Sequence, residues 1–128
     1  MKLITMNDVK AEDIKWLWYP YIPCGKITLV QGDPGDGKTI FILAIVSLLT
    51  KGSPMPGDSE HLLPERTIYQ TAEDGLADTI RPRLDRIGAD CSNIIIIDES
   101  EQALSFSDSR IEEAVRETSA KLFILDPL

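Results

Sequence analysis

The sequence predicts an α/β fold, in which helices cover both faces of a parallel β-sheet. Short runs of apolar and β-branched residues alternate with helical patterns along the chain, which is typical of parallel strands joined by crossover helices. A glycine-rich stretch separates the first such strand from the first helix, and the last strand ends in an acidic residue. The length of 128 residues suits one domain, so we expect residues 1–128 to form a single unit.

The first predicted strand is residues 27–30, a continuous apolar run. Residues 38–50 follow as a helix that is apolar on nearly all sides, which predicts deep burial. Residues 51–65 contain three prolines and two glycines, so we expect a loop that is long enough to be mobile or functional. Upstream of the first strand, Trp16 and Trp18 alternate as in an edge strand that packs on the core, and stacking on a base is the alternative.

The second predicted strand is residues 67–71. Residues 76–87 carry apolar side chains at helical spacing, and Gly88 suits the position just after a helix. Pro82 interrupts this pattern, so either the helix is kinked there or its regular part begins near Arg81, with Pro82 in the first turn.

Two further strands are expected in the second half of the chain. Residues 94–97 are four consecutive isoleucines, which predicts a strand buried on both faces of the sheet. Ser109 and Glu112 have the spacing of a capping box at the start of a helix. Residues 122–125 form the last apolar strand, which ends at Asp126.

The segment between the first strand and the first helix matches the phosphate-binding pattern G-x-x-x-x-G-K-[ST] in full. Glycines in such a loop let backbone N–H groups point at a phosphate, at the positive end of the helix that follows. We expect Lys38 to reach the β- and γ-phosphates and Thr39 to ligate Mg²⁺ through its hydroxyl. The candidate nucleotide-binding residues are Gly32, Asp33, Pro34, Gly35, Asp36, Gly37, Lys38, Thr39 and Ile40.

Acidic residues at the ends of predicted strands complete this candidate site. Asp126 ends a strand in the manner of a Walker B motif and is the candidate metal-holding carboxylate opposite Thr39. Pro127 follows it, so the catalytic acid cannot stand there. Glu73 lies just after the second strand, at the same edge of a parallel sheet, and is the candidate general base for the attacking water. The alternative is that Glu73 and Asp74 only cap the next helix.

A second acidic pair, Asp98 and Glu99, follows the isoleucine strand. These residues could contact the water shell of the metal or a neighbouring subunit. The acidic and polar residues that follow favour the simpler interpretation that the pair begins a solvated loop.

Charge and composition exclude several classes of partner. The chain has 13 Lys and Arg against 21 Asp and Glu, a net charge of −8, which provides no basic surface for nucleic acid or an anionic membrane. The longest apolar run, residues 39–50, is too short to span a bilayer. Two cysteines without metal-ligand spacing suit a reducing compartment, and the expected location is the cytoplasm.

These motifs resemble the N-terminal part of a RecA-like P-loop ATPase core, in the branch of RepA-type and DnaB-type hexameric helicases and their AAA-labelled bacterial and phage relatives. The resemblance begins with the segment YIPCGKITLV at residues 21–30, and continues through the phosphate loop, Glu73 and Asp126. Asp36 departs from the pattern of the family, which more often has a small neutral residue at this position. Its negative charge is expected to weaken nucleotide binding unless the carboxylate points to solvent.

The resemblance implies ATP hydrolysis with Mg²⁺, coupled to DNA and usually carried out by a homo-oligomeric ring, a hexamer in the full-length protein. It also implies that the strands leading to Glu73 and Asp126 are not neighbours. Family members continue with further strands and DNA-contacting loops, so we expect the fold to be incomplete at its C-terminus and DNA to be contacted beyond Leu128.

The first functional hypothesis is therefore an ATPase motor core of a replication or mobile-element protein. The alternative is a nucleotide-gated regulatory or assembly protein with little turnover, which Asp36 favours. A small-molecule kinase would need an arginine-rich lid, whereas residues 98–117 carry seven acids and two bases.

Overall fold

The structure is a computed structural model, and it describes residues 1–33, 35, 37–71, 75–100, 102–105 and 107–126. The chain divides into two compact units, Met1–Gly32 and Asp33–Leu128. In the first unit a short 3₁₀ turn (Met6–Asp8) precedes a hairpin in which β1 (Trp16–Trp18) pairs antiparallel with β2 (Ile22–Pro23). This hairpin confirms the strand predicted at Trp16 and Trp18, and Trp18 is buried.

The prediction of a strand at residues 27–30 is wrong. The segment forms no ladder within the described part of the chain, and the side chains of Ile27 and Leu29 are 80% and 59% exposed. An apolar run of four residues becomes a strand only when a neighbouring strand pairs with its backbone, and the single ladder of this unit is the β1–β2 hairpin.

The second unit is a three-stranded parallel sheet with helices, which confirms the α/β class. Its regular elements, in chain order, are α1 (Lys38–Lys51), β3 (Thr67–Thr71), α2 (Arg81–Arg86), β4 (Ile94–Ile95), α3 (Ser109–Thr118) and β5 (Leu122–Asp126). The strand order is β4-β3-β5, so β3 lies in the centre. Whether residues 1–128 form a single domain stays a prediction.

The expected strand order is corrected at the centre of the sheet. The strand leading to Glu73 and the strand ending at Asp126 were expected to be separated, but β3 and β5 are direct neighbours. Their parallel register runs from Thr67 opposite Leu122 to Thr71 opposite Asp126. The two strands have equal length, and all five residues of one pair with all five of the other.

The isoleucine strand is shorter than the four residues predicted, since β4 is an edge strand that contains only Ile94 and Ile95. Ile96 is 40% exposed, so the segment is not buried on both faces. The buried side chain of Gln70 continues the pairing where the backbone ladder ends. Its Oε1 accepts a hydrogen bond from the N–H of Ile97 at 2.6 Å, and its Nε2 donates to the carbonyl of Ile97 at 3.2 Å.

The helix predicted over residues 76–87 forms as two pieces. A π-helical turn (Leu76–Ile80) leads into α2, and Pro82 lies in the first turn of α2. Proline is tolerated there because the N–H that it lacks is one of those left without a partner at the start of a helix. Gly88 follows the helix at a φ of 75°, as predicted. Ala89 N–H donates to the carbonyl of Leu84 at 3.0 Å, which completes a Schellman motif.

The loop after α1 contains no helix or strand, but it is anchored at both ends. Gly52 ends α1 in the left-handed conformation, and a Cβ there would lie 2.5 Å from the carbonyl oxygen of Leu62. Leu62 N–H donates to the carbonyl of Gly52, and Glu65 N–H donates to that of Leu49. Met55 is buried at 1% exposure, so the loop packs as part of the core.

Thr67 begins the central strand with a buried hydroxyl that has no hydrogen-bond partner among the described residues. A Thr67→Val variant has nearly the same shape and removes this unpaired group, so we expect the free energy of unfolding to rise by about 1 kcal/mol. Urea denaturation of the two proteins measures the difference.

Thr50→Val is the matched control for this prediction. The Thr50 hydroxyl is also buried, but it donates to the carbonyl of Ser47 and accepts from the N–H of Asp90. The same substitution there should lower stability by about 1 kcal/mol or more. Equal effects at Thr67 and Thr50 would contradict the prediction.

The third helix starts one residue away from the predicted capping box. Asp108, rather than Ser109, is the N-cap, and its carboxylate accepts from the N–H of Arg110 at 2.9 Å. The guanidinium of Arg110 also donates to Asp108, at 2.8 Å from Nη2. Asp108 takes the N-cap position in place of Ser109 because its one carboxylate accepts hydrogen bonds from both a free helical N–H and a cation.

This arrangement predicts a dependence of stability on acid pH. The hydrogen bonds from the Arg110 side chain and backbone lower the pKa of Asp108 to about 2. An unfolded Asp has a pKa of about 3.9, so the unfolded state binds more protons between these values. The stabilisation is complete above about pH 4 and is lost as the pH falls towards about 2. Melting temperatures across this range should fall less steeply for Asp108→Asn, and parallel curves would contradict the prediction.

Candidate functional site

The second half of the phosphate-loop sequence lies at the N-terminus of α1. Gly35 and Gly37 have positive φ angles of 90° and 81°, which favour glycine. Gly37 is the N-cap of α1, and its carbonyl accepts the N–H of Phe41 at 2.9 Å. The first turn contains Lys38 and no acidic residue, so no side chain of the helix itself offsets the positive end of the helix dipole. This geometry suits an anion such as a phosphate.

The structure brings Thr39 and Asp126 together, although 87 positions separate them in the chain. Thr39 lies in the first turn of α1, and Asp126 is the last residue of β5. The Thr39 hydroxyl donates to Oδ2 of Asp126 at 3.0 Å. A hydroxyl and a carboxylate are hard oxygen donors of the kind that Mg²⁺ prefers, so these two residues fit the cation that the sequence predicts.

Sequence reasoning missed a third member of this contact. The phenol of Tyr69 donates to the same Oδ2 of Asp126 at 3.1 Å. Tyr69 is 1% exposed in the central strand, two residues before the end of β3. A tyrosine within a strand predicted to be buried was the available signal, because a buried phenol usually needs a hydrogen-bond partner.

The acidic pair after β4 organises a loop. Glu99 accepts a hydrogen bond from Nε2 of Gln70 at 3.2 Å and another from the N–H of Leu104 at 2.7 Å. Asp98 accepts from the N–H of Ser100, and hydrogen bonds from Ser100 lower the pKa of Asp98. Within the described residues neither carboxylate bonds to Thr39 or Asp126, so these contacts favour the interpretation of a structured acidic loop.

Several predicted site residues remain untested by this geometry. Pro34, Asp36 and Glu73 lie outside the described residues, as does Asp74, and Gly32 ends the first unit. Asp33 is exposed. Ile40 is 65% exposed on the first turn of α1, and the half-buried Lys38 forms no ion pair in the described part of the chain. Their roles stay predictions.

The described residues lack two features, a cluster of metal-ligating side chains and a helix that could cross a bilayer. They contain no group of three or more His, Cys, Asp or Glu side chains able to hold a metal ion. None of the helices described has both the length and the apolar character that crossing a bilayer requires.

The parallel sheet, the glycine turn before α1 and the Thr39–Asp126 contact fit a P-loop NTPase domain of RecA-like type. The chain belongs to the AAA domain family, which it matches over residues 4–128. It is 27% identical over 104 residues to the DNA repair protein RadA of Halalkalibacterium halodurans, an alignment that covers 81% of this chain. The chain spans only 19% of the length of that relative. No solved structure matches the chain.

Proposed function

We propose that this chain binds Mg²⁺-ATP and hydrolyses it, as part of the motor core of a RecA-like protein. The observation that supports the proposal most directly is the 3.0 Å hydrogen bond between Thr39 and Asp126. It joins the residue that follows the phosphate-loop lysine to a carboxylate at the end of a parallel strand, where nucleotides bind in open α/β sheets.

Each candidate residue has a specific task in this proposal. Backbone N–H groups of residues 32–40, apart from Pro34, bind the phosphates, and Lys38 neutralises charge on the β- and γ-phosphates. Thr39 and Asp126 hold the metal ion, which spreads the negative charge of the phosphates when it is bound. Glu73 accepts a proton from the attacking water, so that water becomes a nucleophile at neutral pH.

DNA is the proposed partner of the whole protein, in a homo-oligomeric ring of the RepA or DnaB type. The name of the relative RadA, a DNA repair protein, supports a role on DNA. It does not distinguish the RepA or DnaB type from other RecA-like proteins. The net charge of −8 makes the chain itself a poor surface for a polyanion. We therefore propose that DNA is contacted by parts of the protein beyond Leu128.

The second candidate is a nucleotide-gated assembly protein with little turnover. Asp36 supports it, because a carboxylate within the phosphate loop repels the phosphates and lowers the affinity for nucleotide. Such a protein would form ATP-dependent oligomers and would not respond to nucleic acid.

Phosphate release from ATP by the full-length protein, with and without single-stranded DNA, tests the proposal. The motor predicts Mg²⁺-dependent turnover that DNA stimulates and that Lys38→Ala abolishes. ATP-dependent oligomers without turnover would favour the assembly protein instead. A protein that binds no nucleotide would contradict both.

A further inference from the structure

Tyr69 connects the apolar core to the candidate metal site. Its ring packs in a buried cluster with Leu43 of α1, Ile80 and Leu84. Its hydroxyl lies at the opposite end of the ring and donates to Asp126. A ring fixed by packing on several elements holds its hydroxyl in one place, because the side chain has only two rotatable bonds.

The register of the sheet explains how the hydroxyl reaches the carboxylate. Tyr69 lies opposite Ile124, and Asp126 lies two residues further along β5. Residues two apart project from the same face of a strand, so Tyr69 and Asp126 share a face of the sheet. The length of the tyrosine ring covers this offset along the strand, and a shorter hydroxyl side chain could not.

Both described hydrogen bonds to Asp126 use the same oxygen. Thr39 and Tyr69 donate to Oδ2 at 3.0 and 3.1 Å, and Oδ1 accepts no hydrogen bond from the described residues. Two donors on one oxygen fix the plane of the carboxylate and leave the other oxygen to water or to a cation. Thr39 is itself a candidate metal ligand, whereas Tyr69 is not one of the predicted ligands.

We propose that Tyr69 is a positioning residue for Mg²⁺ at this site, which orients the carboxylate of Asp126 before the cation arrives. This inference rests on the proposed function, since it assumes that the site binds Mg²⁺ with a nucleotide. Partners that orient metal-binding groups commonly change metal affinity 10- to 100-fold when they are removed. Tyr69 therefore contributes to the Mg²⁺-dependent part of nucleotide affinity and not to the part that the phosphate loop supplies alone.

Tyr69→Phe tests the inference, because it keeps the ring in the core and removes only the hydroxyl. The dissociation constant of a fluorescent ATP analogue is measured in EDTA and in saturating Mg²⁺, for the full-length protein and the variant. We expect the affinity in EDTA to be unchanged and the tightening by Mg²⁺ to be smaller by about 10-fold. This readout is binding and does not depend on turnover.

Two further variants show whether the effect passes through Asp126. Thr67→Val removes another buried hydroxyl from the same strand and should keep the full tightening by Mg²⁺. In the double variant with Tyr69→Phe and Asp126→Asn, Mg²⁺ should tighten nucleotide binding no less than it does in Asp126→Asn alone. The effects of two residues that act through one contact are not additive.

The outcomes separate this inference from the proposed function. A parent protein that binds no nucleotide contradicts the proposed function. If the parent binds and Tyr69→Phe keeps its full tightening by Mg²⁺, only the inference is overturned. A variant that fails to fold, or that loses affinity equally in EDTA and Mg²⁺, also overturns it, because the hydroxyl then serves the fold and not the metal site.

Discussion

Asp126→Asn is expected to lower the rate of ATP hydrolysis by about 100-fold or more while the protein stays folded. Asparagine keeps an oxygen that can accept the hydrogen bonds now donated by Thr39 and Tyr69, so the local packing is retained. It removes the negative charge that would hold Mg²⁺, and a bound metal supplies several kcal/mol of charge stabilisation in phosphoryl transfer. Steady-state phosphate release across a titration of Mg²⁺ measures the loss.

Raising Mg²⁺ distinguishes a weakened metal site from a damaged fold. A weakened site should recover part of its activity at high Mg²⁺, and its unfolding curve should resemble that of the parent. Asp98→Asn is the matched control, because it makes the same change at a carboxylate whose described bond is to Ser100 in the neighbouring loop. If both substitutions reduce turnover equally, the assignment of Asp126 to the metal is wrong.

Glu73→Gln is expected to reduce turnover by roughly 10²- to 10⁴-fold and to leave ATP binding intact. A general base contributes about this factor, and glutamine has nearly the same shape but cannot accept the proton of the attacking water. Binding of ATP is measured separately by calorimetry, so loss of chemistry is distinguished from loss of affinity. The expected pattern is a lower kcat with an unchanged dissociation constant.

Glu113→Gln provides the control for this second experiment. Glu113 is exposed on α3, and the same loss of charge there should not affect hydrolysis. The alternative function of Glu73, as a cap of the following helix, predicts a different result. In that case Glu73→Gln would change the melting temperature and would hydrolyse ATP at the parent rate.

Features that depend on neighbours in sequence were predicted well. The helix expected over residues 38–50 is α1 (Lys38–Lys51), and the strand expected at residues 67–71 has those bounds. The periodic spacing of apolar residues and a glycine in the left-handed conformation are local properties, since a few consecutive residues determine them. For the same reason the glycine turn before α1 could be recognised from its motif alone.

Features that depend on distant partners were predicted poorly. Residues 27–30 and 94–97 are both apolar runs with strand propensity, yet the first forms no ladder and the second pairs over two residues only. Whether such a run becomes a strand depends on the strand beside it, which propensity does not specify. The neighbouring positions of β3 and β5 differ from the strand order that the family resemblance implied.

The candidate site shows the same division between local and distant information. The sequence by itself determined that Lys38 and Thr39 follow a glycine-rich turn at the start of a helix and that Asp126 ends an apolar strand. Only the tertiary structure decided that Thr39 and Tyr69 donate to one oxygen of Asp126, across 87 and 57 positions of chain. The physical reason is that motifs fix local backbone geometry, whereas the sheet register and the packing of α1 fix which side chains meet.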